Sequence, residues 1–457
     1  MHSNQHKIKK GLDIRIPGTA EREVSVLPLR GDYAVRPTDY IGVAPRLFVS
    51  EGDRVTAGTP LFEDKNNEGI PFVSPVSGRV KAIVRGEKRA LLAVVVEADS
   101  ERVNNNKNAD NNENTEEIRQ QMITSGLWNR LRQRPFGIVP RKDSQPKAVF
   151  VSAFDSSPLP VDIDFILHDR KEDFQHGIDV LHKIAGSVCL SLCCGSQRDS
   201  FLTTTGNADI HFFDGPHPSG LVGTQIACVS PINKGETVWT VNPQDVAIIG
   251  HYFRTGEYQP ERTVALCGPG VDKPQYFRLT EGIQVSSVTG GHLMPEVSKT
   301  GHLRIICGDV LSGISIDADG FLSAGCDKIS VIPEGDYYDF MGWLRPNFRK
   351  YSFSRTFLSG LLSSFKSQNL KYDFDTGRHG SLRPLFVTGE FEKLVPLDIY
   401  PMQLIKACIV GDIDMMEELG IYEVEPEDLA LCEFADTSKT EIQAIIRNAL
   451  EKIRKEG

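Results

Sequence analysis

The chain of 457 residues contains no apolar run near the roughly 20 residues that a helix needs to cross a bilayer. Its first stretch, MHSNQHKIKKGLDIRIPG, is polar and basic and has no apolar signal core. These two absences predict a cytoplasmic protein that works at a membrane only by docking onto something embedded there. Positive charge is also scarce. Lys and Arg number 51 against 61 Asp and Glu, giving a formal net charge of −10 and a pI near 5.6. Nucleic acid and anionic membrane surfaces attract clusters of Lys and Arg, so neither is expected as a main partner.

Paired cysteines are missing too. Nine cysteines occur, at 189, 193, 194, 228, 267, 307, 326, 408 and 432, and none forms a C-x2-C pair. An odd count without a signal core favours free thiols. The one cluster, Cys189, Cys193 and Cys194 in SVCLSLCC, has no partner cluster downstream. An iron–sulfur or structural zinc site is therefore not expected, and the run reads as a buried strand. No metal site is expected anywhere in the chain. The phosphate-binding glycines are absent as well. Where a dinucleotide fold would place G-x-G-x-x-G after its first strand, this chain has Phe154-Asp155-Ser156-Ser157-Pro158, and no G-x-x-x-x-G-K-[ST] occurs. Without those glycines the backbone cannot easily close around a pyrophosphate.

What is present reads as an α/β multidomain chain, and its length suggests about two to four domains. Residues 1–103 are mostly β. The turns EGD, AGTP and PVSG bracket the short strands LF and VKAIV. Their spacing resembles the barrel-sandwich (lipoyl-like) fold of biotin- and lipoyl-carrier domains. Lys65 in EDKNNEG sits where such a domain presents its modified lysine. The tip is longer and more polar than that pattern, so a solvated hairpin lysine is expected.

Residues 104–146 read as a linker followed by a helix. NNNKNADNNENT is too polar to pack, and Ile118, Met122, Ile123 and Leu127 share one helical face. Residues 147–261 alternate apolar strands (KAVFVSAFD, SVCLSLC) with helices (HGIDVLHKIAG). This predicts a Rossmann-like α/β layer, a parallel sheet lacking a phosphate loop. Within it, the strand Ile210–Phe213 ends at Asp214-Gly215-Pro216 and the loop HPSGLVG follows. A helix then starts at Asn242, with Pro243 in its first position and Asp245 in its first turn. Ligands tend to sit outside the strand ends of such layers, so the Asp214–Gly220 loop is the first place to expect function.

Residues 262–332 read as a separate small module. RTVALCGPGV and HLRIICGDVLSG resemble a β-grasp-like (soluble ligand-binding) unit closed by FLSAGCDKISVIPEG, with Cys307 and Cys326 in its core. Residues 333–457 read as a mainly helical C-terminal domain. Trp343, Phe348, Phe353, Phe357 and Leu361 are expected to pack in a core, with a partner surface as the less favoured reading. Gly411 and Gly420 read as helix stops and Glu425-Pro426-Glu427-Asp428 as a start. The ending KTEIQAIIRNALEKIRKEG is an amphipathic helix.

Six segments in order carry a fuller resemblance: KIKKGLDIRIPG, LFEDKNNEGIPFVSPVSG, HPSGLVGTQI, NPQDVAIIG, RHGSLRPLFVTGEFEKLVPLDIYPMQLIKA and EPEDLALCEF. With them the chain resembles the A subunit of the bacterial Na+-translocating NADH:quinone oxidoreductases. It is more distantly similar to the C subunit of Rnf complexes and the flavin-binding subunit of complex I. Those last two carry C-x2-C-x2-C clusters and a Gly-rich flavin loop that this chain lacks. It also has no D-G-x-[ST]-G-A-[ST] sequence for covalent flavin. The resemblance implies a subunit with no redox cofactor of its own, with FAD, FMN, iron centres and the NADH site on partner subunits. It implies a place on the cytoplasmic face of a Na+ pump, bound to the membrane-embedded subunits, with quinone as substrate. On this reading Phe212, Phe213 and Leu221 wall a quinone slot, and His217 and Trp239 supply donors. His217 also qualifies as a proton donor to reduced quinone. The alternative for His217, between two prolines, is that it simply fixes a loop. The alternative for the chain is a non-catalytic scaffold.

Overall fold

A computed structural model describes residues 4–99, 114–338, 351, 353, 371–378 and 380–456. The chain opens with two short strands, β1 (Gln5–Lys7) and β2 (Val24–Val26), and then builds a barrel-sandwich. That unit comprises β3 (Asp32–Val35), β4 (Pro45–Leu47), β5 (Arg54–Val55), β6 (Pro60–Asp64), β7 (Pro71–Val73), β8 (Gly78–Arg85) and β9 (Leu91–Ala98). Its two sheets run β3-β9-β8-β5 and β4-β6-β7. Leu61, Phe62 and Phe72 fill the space between them, and the Phe62 and Phe72 rings stack at 4.8 Å. Lys65 stands exposed at the β6–β7 turn, and the neighbouring Asn67 side chain donates to the Pro140 carbonyl.

The segment 100–113, most of the expected linker, lies outside the described residues. Helix α1 (Thr115–Thr124) begins inside the linker's expected span, capped by the Asn114 side chain on the Glu116 amide. Then come β10 (Arg132–Arg134), β11 (Val149–Ser152), α2 (Ile163–Leu167), α3 (Lys171–Ala185), β12 (Val188–Cys193) and β13 (Asp209–Asp214). The layer finishes with α4 (Val222–Val229), β14 (Val238–Thr240) and α5 (Pro243–Thr255). Its sheet runs β1-β13-β12-β11-β14-β10, parallel throughout except for the β10–β14 pair. Helix α5 forms as its sequence dictates. Asn242 caps it by accepting from the Gln244 amide, Pro243 opens it, and Gly256 closes it in the left-handed region. Helix α3 starts at Lys171, five residues before the expected span. Helix α4 was legible only as apolar residues, because Val222, Gly223, Thr224 and Ile226 are poor helix formers and tertiary packing holds it.

A second sheet combines β15 (Glu261–Cys267), β16 (Gln275–Thr280), β17 (Leu303–Cys307), β18 (Ile314–Ile316) and β19 (Lys328–Pro333) with β2, in the order β18-β17-β19-β15-β16-β2. The sequence suggests a separate unit here. The structure packs its apolar face against the barrel: Tyr33, Phe62, Leu266, Phe277 and Val331 share one core. A sheet with one apolar face must bury it against another layer, and the barrel is that layer. Cys307 and Cys326 lie in this core, as expected.

The N-terminus also departs from the expected 1–103 unit. β1 joins the parallel sheet beside β13, and β2 joins the second sheet beside β16. An unpaired sheet edge accepts any extended segment, and nothing in the local pattern says which edge will take it. At the other end the helices Pro401–Val410, Ile413–Glu418, Ala430–Ala435 and Ile442–Glu456 share a core of Met402, Ile405, Leu429, Ile446 and Leu450. Trp343, Phe348, Phe357 and Leu361 lie outside the described residues. Phe353 packs against Ile14, Ile16 and Leu431. Among the described residues no helix is long and apolar enough to cross a membrane.

Candidate functional site

From β11 the parallel sheet grows one way through β12 and β13 and the other way to β14. The carboxyl end of β11 is therefore the switch point where such sheets bind ligands. Here that place is taken by the protein itself. Asp155, in the loop after β11, accepts from the Ser157 amide at 2.8 Å and from the Lys328 ammonium at 2.6 Å. Lys328 reaches across from β19 and also donates to Ser157 Oγ at 2.6 Å, with the Pro158 and Leu159 carbonyls at 3.3 and 3.2 Å. Burial pushes the Asp155 carboxyl up, but Lys328 and the Ser157 bonds outweigh it and hold it below its usual range. Burial draws Lys328 down, and Asp155 more than restores it.

His217, in the loop after β13, belongs to the same closed edge. Its amide donates to Asp13 at 2.9 Å, and its carbonyl accepts from the Leu12 amide at 2.8 Å. Its Nδ1 lies 3.1 Å from Ser156 Oγ, which itself accepts from the Gly220 amide at 2.8 Å. The serine hydroxyl is thus free to donate to Nδ1, which favours the neutral tautomer with its proton on Nε2. Burial pulls the ring below the usual histidine range, in the same sense. The residue is 3% exposed. The N-terminal segment crosses so close that a Cβ on Gly11 would sit 2.1 Å from the His217 carbonyl oxygen.

The five residues expected to form a quinone slot are not brought together. Phe213 is fully buried and stacks on His6 at 4.7 Å. Phe212 and Leu221 are half-buried on β13 and at the start of α4. Trp239 is fully buried on β14, with β12 and β11 between it and β13. Three strand steps of about 4.8 Å put it about 14 Å away along the sheet. Its ring meets Trp128 edge-on at 5.3 Å. The sequence places Phe212–Phe213 and Trp239 on strands but carries no information on strand order.

A cavity of about 60 Å³ lies where the barrel, the parallel sheet and the second sheet meet. Val35, Val73, Pro75 and Leu322 are the apolar part of its wall, Asp39, Asp245 and Glu281 the acidic part, and Tyr40, Asn129, Arg132 and Tyr258 supply donors. The Arg132 guanidinium lies 4.7 Å from the Tyr40 ring centre. Among the described residues no carboxylate forms an ion pair with Arg132, whose guanidinium donates instead to the Asn129 and Leu131 carbonyls. Burial pushes both the Tyr40 and Tyr258 phenols up, so each remains a neutral hydroxyl. A charge network forms part of the same wall, through Arg130, Asp245 and Glu281. Arg130 pairs with Asp245 and, at 2.9 Å, with Glu281. Arg262, 1% exposed, pairs with Asp245, Glu281 and Asp327. Asp245 comes from the first turn of α5, and Glu281 directly follows β16. This site was missed because its residues run from 35 to 322 with no local motif. The one local signal was a carboxylate, Asp245, in a helix whose other residues are mostly apolar. Among the described residues no group of three or more His, Cys, Asp or Glu is placed to hold a metal.

Comparison with known proteins covers nearly the whole chain. Three family models match: "NqrA N-terminal barrel-sandwich hybrid domain" over residues 6–99, "NqrA second alpha/beta domain" over 113–258, and "NQRA C-terminal domain" over 263–317. The chain is 39% identical over 455 residues to the A subunit of the Na(+)-translocating NADH-quinone reductase of Haemophilus influenzae (strain PittEE), covering 98% of this chain and 99% of that one. It is 40% identical over 458 residues to the protein of the same name from a Neisseria meningitidis serogroup B strain, covering 99% and 100%.

Proposed function

This chain belongs to the family of the A subunits of the Na+-translocating NADH-quinone reductases, and from that premise we propose that it serves the quinone step of such a complex. The observation that carries the reading is the match along essentially the full length of named subunits. The chain is then a peripheral cytoplasmic subunit held by membrane-embedded partners, with NADH, flavin and iron chemistry on those partners. The quinone headgroup is an apolar ring with two carbonyls, and its site needs an apolar slot with one or two donors. The cavity, about 60 Å³ and lined by Val35, Val73, Pro75 and Leu322 but also by Asp39, Asp245 and Glu281, has room for the carbonyl edge of a headgroup, with the neutral Tyr258 and Tyr40 hydroxyls and the Arg132 guanidinium as donors. His217 takes the loop-fixing part, because its amide, carbonyl and ring nitrogen are all engaged by the protein.

Titrating a short-chain ubiquinone into the purified chain tests this. Tyr258→Phe removes one hydrogen bond and should weaken binding about fivefold, the equivalent of about 1 kcal/mol. His217→Ala should leave quinone affinity unchanged and cost about 2 kcal/mol of stability, because it takes the ring partner from the Ser156 hydroxyl and empties a buried site. The opposite pattern would return the quinone role to the β13 loop. No measurable quinone binding in any form would favour the second reading, a scaffold. The buried ion network that ties the layers together supports that alternative.

A further inference from the structure

We propose that the cavity between the start of α3, the end of α5 and β15–β16 binds the phosphate group of an anionic ligand. The cavity has a volume of about 180 Å³, room for several water molecules or one phosphate with its first substituent. Arg170, Arg262, Arg278, His251, Thr263 and Gln259 line it, together with Asp169, Asp173 and Glu261.

Two groups in the wall are left short of partners. The first is Arg170. Its side chain is 18% exposed, yet its nearest carboxylate oxygen, on Asp173, is 3.7 Å away. Its guanidinium donates to the neutral Glu261 carbonyl at 3.2 Å. Burial draws this guanidinium below its usual range, and the nearby carboxylates Asp173 and Glu261 do not restore it. The like charges of Arg278 and Arg262 press in the same direction. A buried cation left in this state gains from any anion that enters. The second feature is His251. Its Nδ1 faces Asp173 at 3.2 Å, while its buried Nε2 has no hydrogen-bond partner.

Two of the cavity's three acidic residues are engaged or screened. Asp173 is already held by His251 and, at 2.8 Å, by Arg254. Burial pushes its carboxyl up, and those bonds hold it below its usual range. Asp169 is 71% exposed and stands 3.3 Å from Arg278, so water screens it. A phosphate between Arg170 and Arg278 would take their free N–H groups in the forked geometry that guanidinium favours. The Thr263 hydroxyl and the Gln259 amide add neutral donors.

The test is the thermal midpoint of the full chain in inorganic phosphate against chloride at equal ionic strength. About 10 mM phosphate, roughly 100-fold above a Kd of about 0.1 mM, should raise the midpoint by about 3 °C over chloride. Arg278→Gln, at a partly exposed position that does not threaten folding, should cut the affinity at least tenfold. Arg170→Lys should do the same while keeping a cation in place. A rise no larger in phosphate than in chloride would overturn the proposal, as would an undiminished rise in Arg278→Gln. Vesicles containing phosphatidylglycerol separate the sources. Retention that phosphate competes away assigns the site to a lipid headgroup, and a phosphate effect without retention assigns it to a soluble phosphate.

Discussion

Gly250→Val should destabilise the chain by about 3 kcal/mol or more and lower its urea midpoint accordingly. Helices α3 and α5 cross with almost no space between their backbones. A Cβ on Gly250 would lie 1.7 Å from the Asp173 carbonyl oxygen and 2.5 Å from the Gly177 nitrogen. The contact is reciprocal, since a Cβ on Gly177 would lie 2.0 Å from the Val246 carbonyl oxygen. The obstacles are helix backbone, which cannot swing aside as a flexible side chain does. The two helices would have to separate, taking Ile178, Leu181, Val246 and Ile249 out of a fully packed core. Asp173 and Arg170 would move with α3, so the phosphate effect should fall in the same variant. A midpoint within error of the parent would show that the helices do not approach as described.

Arg262→Met should cost about 3–5 kcal/mol, because it strips a cation from three buried carboxylates. Asp245, Glu281 and Asp327 would be left with Arg130 as the remaining guanidinium of the network, and Arg130 reaches Asp245 and Glu281. The pH dependence should change as well. Burial pushes the Glu281 carboxyl up, but Arg130 and Arg262 outweigh it and bring it to about 2. The folded value lies below the usual unfolded value of about 4.3, so this group contributes stability at neutral pH. That contribution is lost as pH falls from about 5 toward about 2. Asp327 works in the opposite sense, since burial holds its carboxyl above the usual range despite Arg262. Without Arg262 both carboxyls should rise. Denaturant midpoints across pH 3–8 should then show the variant losing most at neutral pH and least at pH 3. A constant difference across that range would mean that the loss comes from packing rather than charge.

How much of this was legible depended on whether the signal was local. The α5 start was readable from Asn242-Pro243-Gln244-Asp245 because caps are set by neighbours in sequence, and the side chain of Asn242 does cap the Gln244 amide. The β13 strand and its Asp214-Gly215-Pro216 stop were readable for the same reason. The barrel-sandwich announced itself through turn residues at regular spacing. Side-chain meetings across the fold were not readable. Lys328 lies 173 residues from Asp155, and nothing near either one predicts a pair that closes the edge of the parallel sheet. Trp239 and His217 are 22 residues apart in sequence but are separated by strands β11 and β12, because strand order is a property of the assembled sheet. The Tyr40–Arg132–Tyr258 cavity gathers three layers and has no sequence period to betray it.

A role in the quinone step is tested most sharply with membranes that carry the assembled complex, with and without this chain, supplied with NADH. Flavin reduction and quinone reduction are followed separately. Removing the chain should leave flavin reduction in place and abolish quinone reduction while the other subunits stay assembled. Restoring the chain should restore quinone reduction, and restoring it as Tyr258→Phe should restore it only in part. Quinone reduction that continues unchanged without the chain would rule that role out.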